Sequence, residues 1–111
     1  MTTKSEFLFT YQTAALEDAE HKFQRACAQI KLLNQQLQDV QTRYLRAKAA
    51  GNRPFRYNQR LRLACIEGVR NTFYDYAYAQ AEVVAELRRQ LFGEEIDIVA
   101  DDYIEDTEIT A

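Results

Sequence analysis

Residues 9–47 read FTYQTAALEDAEHKFQRACAQIKLLNQQLQDVQTRYLRA, and a seven-residue repeat runs through them without a gap. Phe9, Leu16, Phe23, Ile30, Leu37 and Tyr44 recur every seven residues, and three after each come Gln12, Ala19, Ala26, Leu33, Val40 and Ala47. These are the a and d positions of six heptads, apolar at eleven of twelve sites. Such a repeat predicts one long helix packed along its length. Ala19 and Ala26, the second and third d positions, let a neighbouring helix come close on that side. Thr3-Lys4-Ser5-Glu6 matches a capping box and sets the expected start. Phe7, Phe9 and Tyr11 alternate as a strand would, so the first turns are left open.

Working outward, Gly51-Asn52 offers left-handed geometry and Pro54 opposes continuation, so the first helix is expected over about 5–50 and a tip over 51–56. A second helix is expected over about 57–92, ended by Gly93. Its apolar positions are taken as Leu61, Cys65, Val69, Phe73, Tyr76, Val83 or Val84, Leu87 and Leu91. A connection this short makes the helices antiparallel. With the turn centred near Arg53, Leu37 faces Val69 or Arg70, Leu33 faces Phe73, and both of that last pair are buried. Ile30 then meets Tyr76 or Ala77, Phe23 meets Val83 or Val84, and Leu16 meets Leu91. The expected fold is therefore all-α: a long, coiled-coil-like antiparallel two-helix hairpin over 1–92, with an acidic extended C-terminal tail over 93–111.

Residues beside that seam carry further apolar and small side chains. Gly68, Thr72, Tyr74, Tyr78, Ala79, Ala81 and Ala85 are read as an oligomer face, because a two-helix core of this size is thin. Self-association or docking on a protein partner would complete a bundle.

The chain has 111 residues and a formal net charge of −3, enough for one domain. No apolar run is long enough to span a membrane. The first residues carry Glu6, Glu17, Asp18 and Glu20 and do not read as a secretory signal. Cys27 and Cys65 form neither a CxxC pair nor a zinc set, and both are read as small hydrophobes in a reducing compartment. An intracellular location is expected.

The chemical inventory is poor. His21 is the lone histidine, no phosphate-cradling glycine loop is present, and Asp18 with His21 makes only half of a di-iron motif. No catalytic residue, metal or cofactor is expected. Two other features remain. Arg43, Arg46, Lys48, Arg53, Arg56, Arg60 and Arg62 crowd the tip without an acid between them, interleaved with Tyr44, Phe55 and Tyr57. Arginine forks grip phosphates or carboxylates, and aromatic rings stack on bases, so nucleic acid or an acidic protein surface is a candidate partner there, beside the plain reading of a basic cap on the hairpin.

The tail is the other feature. From Gly93 onward there are eight acids and no base. Ile96-Asp97-Ile98-Val99 followed by Ala100-Asp101-Asp102 resembles a SUMO-interacting motif. The resemblance implies an extended strand added to a sheet edge, with Ile96, Ile98 and Val99 filling a groove and Asp101 and Asp102 meeting a basic rim. Tyr103 sits among these acids, where an acid-directed kinase could act. The leading expectation is a non-enzymatic helical interaction protein that oligomerises or docks by apolar faces and engages a partner by its tail. The alternative is a small nucleic-acid-associated protein acting through the arginine tip.

Overall fold

The computed structural model describes residues 3–104, so Glu105, Asp106 and Glu108 of the acidic tail lie outside it. Two long helices, α1 (Lys4–Ala49) and α2 (Arg53–Phe92), pack against each other, and a single helical turn, α3 (Asp101–Ile104), follows. No strand occurs among the described residues. The body measures 73 × 26 × 17 Å.

Local chemistry sets each boundary. At the start of α1 the Thr3 hydroxyl accepts from the Glu6 amide and the Glu6 carboxylate accepts from the Thr3 amide, each at 3.1 Å. This is the expected capping box. The first turns are helical, and Phe7, Phe9 and Tyr11 stand exposed on them rather than alternating as in a strand. The turn between the helices is shorter than expected. Gly51 at φ 70° reverses the chain, and Asn52 caps α2 by accepting from the Phe55 amide. Pro54 falls in the first turn of α2, where a missing amide costs nothing. The turn thus centres near Gly51, and the pairing slides: Asn34 meets Arg70 and Gln12 meets Gln90 through side-chain hydrogen bonds.

On α1, Leu16, Ala19, Phe23, Ala26, Ile30, Leu37, Val40 and Ala47 are buried and Gln12, Leu33 and Tyr44 half-buried, as the heptads require, whereas Phe9 of the first heptad is exposed. The seam of α2 differs from the expected one. Leu61, Cys65, Val69 and Tyr76 are exposed. The buried or half-buried positions are instead Gln59, Leu63, Ile66, Arg70, Phe73, Ala77, Gln80, Val84, Leu87 and Leu91. Their spacing alternates four and three throughout and so keeps step with α1, whereas 61, 65, 69, 73 drifts round the helix. Leu33 and Phe73 are half-buried rather than buried. Leu16, Val84 and Leu91 do share one cluster, and Ile30 and Ala77 another.

The tail also departs from expectation. Gly93 at φ 69° ends α2, and the chain turns back along the hairpin. Ile98 packs against both core clusters, Ala100 is fully buried, and Ile104 is buried on the residues around Phe23, Cys27 and Ile30. Residues 101–104 form a helical turn and residues 94–99 carry neither helix nor strand, so this stretch is a docked strap and is paired with no sheet edge.

The corrected seam carries a stability test. Val84→Ala should cost about 1–3 kcal/mol by lost burial and the space left behind. Leu61→Ala should stay within about 0.5 kcal/mol, as for an exposed site. Urea unfolding of both variants measures this.

Candidate functional site

Three faces of α2 have different fates, and counting from the seam separates them. One residue forward from the seam positions lies a strip rotated about 100° round the helix, holding Tyr74, Tyr78, Ala81, Ala85 and Arg88. The strap covers part of it and leaves Tyr78 exposed. The Tyr78 hydroxyl donates to Asp101 at 3.3 Å, and Ala81 is buried with Ala100 and Ile104. Arg88 bridges Glu94 of the strap at 3.3 Å and Glu20 of α1 at 3.2 Å. The Tyr103 ring meets Phe23 edge-on, centroids 5.1 Å apart. Tyr74 and Ala85 are half-buried here. Of the seven residues read as an oligomer face, Tyr78 and Ala81 therefore meet the chain's own tail, and Tyr74 packs against the same cluster. Burial, then the Asp101 carboxylate, push the Tyr78 phenol above its ordinary range.

One residue back from the seam lies a strip that no other described residue covers. It holds Cys65, Val69, Thr72, Tyr76, Ala79 and Val83, all exposed, with Gly68 beside it. Val69 is 48% exposed, Tyr76 42% and Val83 44%. Their spacing again alternates four and three, so this outer face is a second heptad stripe. Polar groups of α1 edge it. Lys22 pairs with Asp18 at 2.8 Å. That hydrogen bond and charge raise the Lys22 ammonium above the ordinary lysine range, with nearby Tyr76 adding least.

The tip is the third feature. Arg43, Arg46, Lys48, Arg53, Arg60 and Arg62 are exposed and Arg56 is half-buried. Among the described residues none of the seven pairs with a carboxylate. Phe55 and Tyr57 are exposed among them. Gln59, buried just behind, leaves its side-chain oxygen without a partner. It is a seam position that its polarity concealed.

The tail residues divide. Ile98 and Asp101 turn to the hairpin, Tyr103 meets Phe23 with one edge while staying half open to water, and Ile96, Val99 and Asp102 stay exposed. The groove-filling form that the motif resemblance implies requires the strap to leave its seat. The cleft under the strap, lined by Glu20, Phe23, Gln24, Val84, Arg88, Ile98 and Tyr103, measures about 70 Å³. That holds about two waters, and ligand pockets start near ~300 Å³. Asp18, of the half di-iron motif, is engaged by Lys22. No group of three or more metal-binding side chains converges among the described residues.

The cysteines also separate, against the expectation that both pack as hydrophobes. Cys27 is buried and Cys65 exposed. Burial pushes the Cys27 thiol up, offset in part by Lys31, and reactivity follows the thiolate. Thiol labelling of the folded chain should leave Cys27 untouched until unfolding, whereas Cys65 should be modified in the native fold wherever the outer face of α2 is uncovered, as read by mass spectrometry of digested samples.

No family model, no curated protein and no solved structure matches this chain.

Proposed function

We propose that the chain is a non-enzymatic helical interaction module, a coiled-coil-like hairpin that docks through the outer face of α2. The observation carrying this reading is the Cys65–Val83 stripe. A helix with apolar residues in heptad spacing on two sides has the pattern of one with two neighbours, and α1 supplies one of them. The strap completes the hairpin on its far side and leaves that stripe to a partner. On the strap itself, Ile96, Val99 and the carboxylates of Asp97 and Asp102 are outward and can add contacts to a basic partner. The two unpaired thiols suit a reducing, intracellular setting.

A second reading is favoured by one observation, the seven tip bases without carboxylate partners. In it, the tip binds nucleic-acid phosphates, with Phe55 and Tyr57 offered for stacking. A labelled single-stranded DNA should then bind with steep salt dependence. Arg53→Ala plus Arg56→Ala should lower the slope of log K against log salt by about 0.7 per lost contact.

The docking reading is tested with Val69→Glu plus Val83→Glu. Both sites are exposed, so helicity by circular dichroism should be unchanged while association is lost, whether with itself or with a protein bound by the parent chain. Association undiminished in the double variant would overturn the docking role.

A further inference from the structure

We propose that the occupant of the outer face of α2 is a second copy of this chain, running antiparallel, so that two hairpins form a four-helix bundle with the straps outside. This rests on the docking role given to that face above.

Charge supplies the first argument. Residues 36–70, the half of the hairpin that ends in the tip, carry eight bases and two acids. The other described residues, 3–35 and 71–104, carry six bases and twelve acids. The body is thus a rod 73 Å long, positive at one end and negative at the other. Two such rods attract when antiparallel and repel when parallel.

The stripe gives the same answer by shape. One set of its positions holds the larger side chains Val69, Tyr76 and Val83, and the alternate set holds the smaller Cys65, Thr72 and Ala79. About a two-fold axis level with Tyr74, Cys65 of one copy faces Val83 of the other, Val69 faces Ala79, and Thr72 faces Tyr76. Every layer then sets a larger side chain against a smaller one, which fills space evenly. Parallel pairing would stack Tyr76 on Tyr76 and Thr72 on Thr72, crowding one layer and emptying the next.

The ends of the stripe agree. The same axis brings Arg62, without a carboxylate of its own, level with Glu86 of the second copy. Glu86 is held charged by hydrogen bonds from Arg89 and Gln90. Further out, the exposed aromatics at the start of α1 (Phe7, Phe9 and Tyr11) come level with Phe55 and Tyr57 at the other tip. Asp75 is the one residue near the axis that meets a like charge, and it lies on the rim, where water screens the pair.

Sedimentation equilibrium of the full chain should give twice the 13.0 kDa chain mass across the micromolar range. Orientation is read by Val83→Cys. In the antiparallel pair its new thiol faces Cys65 of the other copy. The two Cys65 thiols of the parent sit about 27 Å apart, as do residues 65 and 83 within one chain, at about 1.5 Å per residue. Mild oxidation should therefore link Val83→Cys into covalent dimers joined between positions 65 and 83, and leave the parent unlinked. A parent chain that sediments as a monomer overturns the second copy. If that monomer binds another protein and loses it with Val69→Glu plus Val83→Glu, the docking role survives. Dimers of the parent joined through Cys65 alone, or no linkage in Val83→Cys, overturn the antiparallel arrangement.

Discussion

The close approach made possible by alanine is the contact on which the rest of the structure depends. Ala19 and Ala26 on α1 and Ala77 on α2 are buried where the helices meet, and Ala81 is buried beside them under the strap. Four methyl groups cannot fill a two-helix interior, and the space above them takes Ile98, Ala100 and Ile104 from the chain's own tail. Ala100 is fully buried, so no longer side chain is accommodated at that point without displacement. The strap converts one end of a thin hairpin into a three-element core. Its charged groups then find partners: Arg88 joins α1, α2 and the strap through Glu20 and Glu94.

The asymmetry of the molecule follows from this contact. The strap lies along one side of α2 and brings Ile104 near the level of Phe23, Cys27 and Ile30. Among the described residues the other side of α2 has no counterpart. Toward the tip the hairpin is two helices thick, and its seam becomes partly polar. Arg70 donates to Asn34, stands 6.0 Å from the Tyr74 ring and leaves its Nε unpartnered, and Gln59 is buried nearer the tip. Buried polar groups of this kind cost stability and restrict which registers can form.

How far the sequence could be read depended on how much competition each signal had. The heptads of α1 were unopposed, and so were the capping box at Thr3 and the glycine stops at Gly51 and Gly93. On α2 two stripes run side by side. The one through Leu61, Cys65, Val69 and Tyr76 looks more apolar than the true seam, which includes Gln59, Arg70, Ala77 and Gln80. Spacing was the better guide than hydrophobicity, because only the strict four-three alternation of the true seam keeps step with α1. The strap was hidden for a related reason. Eight acids in a short tail read as solvated, while the groups that dock it are few and small. The alanines at 19 and 26 did announce a close neighbour; that it is the chain's own tail is visible only in the folded molecule.

The central claim is that the tail is seated in the hairpin and so determines which face of α2 is left open. Ring-to-ring nuclear Overhauser effects between Tyr103 and Phe23 in the folded chain test it most directly. The 5.1 Å edge-on packing requires clear cross-peaks between the two rings. Their absence, with Tyr103 shifts at random-coil values, would mean that the tail is free and would contradict the account.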